Sequence, residues 1–203
     1  MRDRVRVYWS HCGTWRINHP NFYKPAITGL DGVRAIFDFD MFWVEIDSRN
    51  PQALAHIRRS SPHPISSCEI LLGLRDFLPY FREQAMDVAI IDAVWNGVWQ
   101  SIKIAAAADA FEVNIAPHNF YGHLATMMNV HFAAATPKLR IMEVDIDRLA
   151  WDHELFTPLP QFESGHIVAP EFPSWGIEPN EEAIRAHPPK TGAGLMSYRQ
   201  HGS

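Results

Sequence analysis

One unit recurs between Phe42 and Glu143: a short apolar run closes on a polar residue, and a stretch with helical spacing follows. Phe42-Trp43-Val44 leads to Glu45. Pro64-Ile65 and the small residues Ser66, Ser67 and Cys68 lead to Glu69. Val88-Ala89-Ile90-Ile91 leads to Asp92, Val113-Asn114-Ile115-Ala116-Pro117 to His118, and Leu139-Arg140-Ile141-Met142 to Glu143. The steps between the polar residues are 24, 23, 26 and 25 (69 − 45, 92 − 69, 118 − 92, 143 − 118). Such a step accommodates a strand of about five residues, a helix of about ten and two short loops. Short apolar strands alternating with helices predict a parallel sheet with right-handed crossovers. At this period the expected fold is α/β, a (β/α) TIM-type barrel rather than a doubly wound open sheet.

The stretches between the runs read as helices. Asn50 is a natural N-cap for 51–60, with Pro51 at the first helical position. Residues 75–84, 100–111 and 124–135 carry apolar positions at helical spacing, and Pro137 stops the last. No G-x-G-x-x-G turn follows any strand, which argues against a dinucleotide-binding fold. From Trp151 onward prolines and polar residues dominate, predicting an extended C-terminal segment wrapped on the barrel. The expected organisation is one barrel domain over 1–190 and a loose tail over 191–203.

A net charge of −5 gives no reason to expect nucleic acid or an anionic membrane as partner. No apolar run approaches the roughly 20 residues that span a bilayer, and Met1 to Val7 lack the apolar stretch of a signal peptide. Cys12 and Cys68 are far apart, so a reduced, cytoplasmic protein is expected. The 11 histidines outnumber the lysines, which are Lys24, Lys103, Lys138 and Lys190. That inventory draws attention to proton transfer and metal binding.

In a βα barrel the reactive groups sit at the carboxyl ends of the strands, where the loops converge on one mouth. Glu45, Glu69, Asp92, His118 and Glu143 all occupy that position. Each has a plain structural reading: Glu45 could pair with an arginine, Asp92 could cap the next helix, Glu69 and Glu143 could be solvated. Together they make a ring of carboxylates, which is costly unless a cation neutralises it, and hard oxygen ligands favour Mg²⁺. An aspartate on one strand end and a histidine on the next suit a dyad, in which the carboxylate orients an imidazole that moves a proton. Pro117 before His118, and Asn119-Phe120 after it, restrict where that imidazole can point.

These motifs resemble the mandelate racemase/muconate lactonizing enzyme group of the enolase superfamily over residues 42–188. The resemblance rests on Trp43-Val44-Glu45, Pro64-Ile65-Ser66-Ser67-Cys68-Glu69, Asp87 to Asp92 with Trp95-Asn96-Gly97, and Ala116-Pro117-His118-Asn119. His131 to Pro137 before Glu143, and the closing Pro170 to Gly176, complete it. It implies that Glu45 and Glu69 are two Mg²⁺ ligands and that Asp92 and His118 form the acid/base dyad. It further implies that Glu143 hydrogen-bonds the substrate carboxylate or the enolate. The implied chemistry is removal of the proton α to a carboxylate, the base being a lysine or histidine and the charge being held by Mg²⁺.

Two family features have no counterpart. The capping domain and about two βα units, which carry a lysine base and the first aspartate ligand, are not found. Arg4 to Arg16 resembles the start of the barrel, and residues 25–38 run almost directly into a segment resembling its fourth strand, so the resemblance implies a partial (β/α) TIM-type barrel of about six parallel strands. No lysine falls at a strand end in the required place, and Asp38 and Asp40 lie at the wrong end of the Glu45 strand. The resemblance therefore implies a Mg²⁺-dependent sugar-acid dehydratase or racemase with a weakened metal site, acting on a small hydroxy or sugar acid, with a homo-oligomer conceivable. The alternative is a truncated, non-catalytic remnant or assembly partner of a longer relative. A hydrolase of the amidohydrolase type is disfavoured, since no His-x-His follows an early strand.

Overall fold

The computed structural model describes residues 2–10, 41–145 and 149–188. Six parallel strands form its framework: β1 (Arg4–Ser10), β2 (Val44–Glu45), β3 (Ile65–Ser67), β4 (Val88–Asp92), β5 (Asn114–His118) and β6 (Met142–Asp145). Strands β2 to β5 pair in sequence order. A parallel bridge between Ile115 and Leu139 joins β5 to the run entering β6, and β6 pairs in parallel with β1, Val7 opposite Met142. The arc curls: Arg140, ahead of β6, lies 4.6 Å over the ring of Phe42, ahead of β2. This is the TIM-barrel-type α/β fold expected from the period.

Helices α1 (Pro51–Ser60), α2 (Gly73–Arg82), α3 (Ala93–Asn96), α4 (Val98–Ala110) and α5 (His123–Ala135) fill the crossovers. Asn50 caps α1, its Oδ1 accepting from the Ala53 amide at 3.0 Å. Helix α2 starts two residues before the expected range and runs through Pro79, which removes one backbone donor. Burial of Phe77, Tyr80 and Phe81 along the same helix offsets that loss. The Trp95-Asn96-Gly97 motif has a local explanation. The Asn96 amide accepts from Gly73 N at 2.7 Å and donates to the carbonyls of Leu71 and Asp92 at 3.2 and 3.0 Å, pinning two loops together.

Strand β4 shows how the pleat divides the molecule. Alternate residues of a strand face opposite sides. Ala89 and Ile91 pack outward with Ile115 of β5 and with Leu54, Phe77, Phe81, Ile104 and Phe132 from the helices. Val88 and Ile90 face inward with Ala116 and Trp43. A strand buried on both faces reads as a continuous apolar run, as this one does.

The C-terminal segment is more structured than the sequence suggests. It forms a 3₁₀ turn (Asp152–Glu154), four short strands, β7 (Phe156–Thr157), β8 (Phe162–Glu163), β9 (His166–Val168) and β10 (Glu178–Pro179), and helix α6 (Glu181–Ala186). Strand β9 runs antiparallel to β1, Val5 opposite Ile167. Val5, Val7, Met127, Val130, Met142 and Ile167 form the core that anchors it. Gly176 is obligatory: its φ is +75°, and an added Cβ would stand 2.2 Å from the Pro170 ring. The expected tail over 191–203, together with Cys12, Lys24, Asp38, Asp40 and Lys190, lies outside the described residues.

Candidate active site

Counting along the pleat from the inward-facing core residues locates the site. Val88 and Ile90 face the barrel interior, so Asp92 does too; Ala116 faces inward, so His118 follows. On β6, Met142 and Val144 face outward, which turns Glu143 inward. Trp43 packs on the inner cluster and Val44 on the outer, placing Glu45 inward. Asp92 and His118 are direct partners in the β4–β5 register.

Asp92 makes both kinds of contact that the sequence allows it. Its Oδ1 accepts from the amides of Val94 and Trp95, each at 2.8 Å, and so caps α3. Its Oδ2 accepts from His118 Nδ1 at 3.0 Å and from the hydroxyl of Tyr121. With Nδ1–H committed to Asp92, the second ring nitrogen faces the mouth. His118 Nε2 stands 3.5 Å from Glu69 Oε2 and 3.7 Å from Glu143 Oε2.

Glu143 is buried and held from the neighbouring loop. Its Oε2 accepts from Asn119 N at 2.8 Å, and its carbonyl accepts from Asn119 Nδ2 at 3.1 Å. The same Nδ2 reaches Thr126 Oγ1 on α5 at 3.1 Å. Asn119 is thus a supporting residue of the site, as is Tyr121. Neither carries a spacing signal, because both lie in the loop after β5 rather than on a strand end.

The electrostatics follow from crowding. Burial and the charges of Glu69 and Glu143 push Glu45 up to about 7. Burial likewise raises Glu69, with His118 pulling the other way. Asp47, two residues beyond Glu45, is raised by burial against opposing hydrogen bonds from Cys68 and Glu69. Burial would raise Asp92, but hydrogen bonds from His118, Tyr121 and the Trp95 amide outweigh it and hold the carboxyl low. For His118, burial disfavours the cation, yet the Asp92 hydrogen bond and the Glu143 and Glu69 charges lift it to about 9.

Among the described residues no three His, Cys, Asp or Glu side chains are arranged to hold a metal ion. The mouth does supply a mutually repelling pair of hard oxygen donors, Glu45 and Glu69. Such a pair fits Mg²⁺, which commonly takes one or two carboxylates and completes its shell with water or substrate oxygens.

The enolase C-terminal domain-like family model matches residues 15–183. The chain belongs to this enolase family. Solved structures of mandelate racemase/muconate lactonizing enzyme proteins share its fold. One from Sulfitobacter is 29% identical with a TM-score of 0.73, covering 81% of this chain and 42% of that one. A Burkholderia xenovorans protein, provisionally named L-alanine-DL-glutamate epimerase and bound to magnesium and fumarate, is 45% identical with a TM-score of 0.86. That match covers 98% of this chain and 71% of the other. Curated relatives include the D-xylonate dehydratase of Haloferax volcanii, 28% identical over 156 residues, covering 74% of this chain and 37% of the relative. The D-gluconate dehydratase of Thermoproteus tenax is 32% identical over 135 residues, covering 64% and 27%. This enolase-family chain therefore spans less than half the length of these curated relatives.

Proposed function

We propose that the chain carries the proton-transfer part of an enolase-type site and removes the proton α to the carboxylate of a hydroxy or sugar acid, with loss of water. The observation that carries this reading is the Asp92–His118 pair. One imidazole nitrogen is bonded to a carboxylate, and the other faces Glu69 and Glu143 at the mouth.

Glu45 and Glu69 would hold Mg²⁺, which when bound supplies positive charge where negative charge builds on the substrate carboxylate. His118 acts in its deprotonated form, which the neighbouring carboxylates make the minor one below about pH 9; donating from Nδ1 to Asp92, it accepts the α-proton on Nε2 as the Cα–H bond breaks. Asp92 stabilises the imidazolium so formed. The imidazolium then returns that proton to the β-hydroxyl, the Cβ–O bond breaks, and water leaves as the double bond forms. The resulting enol tautomerises to a 2-keto acid. Glu143, fixed by Asn119, stands beside the substrate carboxylate or enolate.

One dyad serves both proton transfers of a dehydration, whereas epimerisation calls for a second base on the opposite face. Lys103 lies over the Trp99 ring and Lys138 lies 3.7 Å from Asp109, so neither of these lysines serves the mouth. The likeness to the Burkholderia protein supports epimerisation as the second reading. A role as non-catalytic partner of a longer relative is the third.

Incubation with D-xylonate, D-gluconate and D-galactonate plus Mg²⁺, followed by 2-keto-3-deoxy acid detection, separates the readings. Dehydration gives the keto acid. Epimerisation gives only α-deuterium incorporation in heavy water, and the partner role gives neither. Turnover that persists in His118→Asn would sink the dyad assignment.

A further inference from the structure

Asp92 accepts four hydrogen bonds, two on each oxygen, and this saturation bears on what Tyr121 does. Oδ1 is fixed by the amides of Val94 and Trp95. Oδ2 is shared by His118 Nδ1 and the Tyr121 hydroxyl. Tyr121 also meets His118 directly: the two rings stand edge to face, with centroids 5.7 Å apart and planes at 87°. The phenol therefore contacts both members of the dyad at once. It belongs to the loop after β5, between His118 on the strand and the start of α5 at His123.

We propose that Tyr121 is a positioning residue that fixes His118 through Asp92, its hydroxyl orienting the shared oxygen and its ring edge bracing the imidazole. Two donors converging on one oxygen define the carboxylate's rotation about Cβ–Cγ more tightly than one donor does. The perpendicular ring packs against the imidazole and restricts its rotation. His118 Nε2 is thereby kept 3.5 Å from Glu69 and 3.7 Å from Glu143. The hydroxyl and the ring make separable contributions: the first acts on Asp92, the second on His118. This inference rests on the dyad reading, but the orientation of the imidazole is observable without turnover.

Proton NMR of the full chain in water reads the His118 Nδ1–H resonance, assigned by its disappearance in His118→Gln. The wild type should show a sharp downfield signal. Tyr121→Phe keeps the ring and loses the hydroxyl, so the signal should shift and broaden. Tyr121→Leu loses both contacts, so the signal should vanish into exchange. If a substrate is found, Tyr121→Phe should lower kcat roughly 10- to 100-fold with KM within about twofold, as expected of a misoriented base. A His118 signal in Tyr121→Phe and Tyr121→Leu that matches the wild type would overturn the proposal, whatever happens to thermal stability. Absence of turnover in the wild type would instead count against the dehydratase reading and leave the NMR result standing.

Discussion

The imidazole of His118 lies 3.0 Å from Asp92, 3.5 Å from Glu69 and 3.7 Å from Glu143, a setting that the unfolded chain does not reproduce. Its folded value of about 9 is above the ordinary 6.5, so over that interval the native chain holds a proton that the unfolded chain releases. By linkage this contribution is fully present below pH 6.5 and is lost as pH rises through 9. Thermal unfolding followed across that window should show the wild type losing stability on its alkaline side. His118→Asn should show a flatter profile; equal declines in the two proteins would reject the account. The meeting of Asp92 and His118 was legible beforehand because each ends a strand, and strand ends meet at one mouth. Tyr121 was not, because a phenol in a loop has no period to betray it. Its role exists only once the loop folds back onto Asp92.

The loop from β5 to α5 does more than connect. Asn119, fully buried, ties β6 through the Glu143 carbonyl and α5 through Thr126, while its own amide holds the Glu143 carboxylate. Asn119→Ala keeps the backbone donor but strands a buried carbonyl and leaves a small cavity, at a cost of about 2 kcal/mol. For a chain of this size that corresponds to a fall in Tm of roughly 4–8 °C, measurable by calorimetry. A fall under about 1 °C would show that the network adds nothing to the junction. Element boundaries were legible where local chemistry marks them. Asn50 and Pro51 open α1 at the expected residue, and α5 begins at His123, one residue early. They were less exact at α2, which begins and ends two residues ahead of the expected 75–84. The short strands of the C-terminal segment were missed because most are two residues long, too few to show alternation.

The strand order β2 to β6 and then β1 brings to one mouth carboxylates that lie up to 98 residues apart (143 − 45). The recurrence of the βα unit made that order legible; the antiparallel β9 on β1 was not, since no motif announces which edge a C-terminal strand takes. Gathering negative charge at the mouth has a cost that falls mostly on Glu45. Its carboxyl is raised from 4.5 to about 7, so between those values the folded chain keeps a proton that the unfolded chain has lost. Stability therefore falls as pH rises through that interval and stays reduced above it. A divalent cation held by Glu45 and Glu69 replaces the proton, so its effect should depend on whether the proton is already gone. Mg²⁺ should raise Tm at pH 8 and have little effect at pH 5, where Glu45 is protonated. Glu45→Gln removes both the pH-dependent loss and most of the Mg²⁺ response, while Glu69→Gln removes the response and, by deleting a repelling charge, lowers the Glu45 value. Thermal melts of the three proteins at both pH values, with and without millimolar Mg²⁺, give the readout. A Mg²⁺ shift of equal size at both pH values, or one that survives both substitutions, would place the cation elsewhere than at this pair.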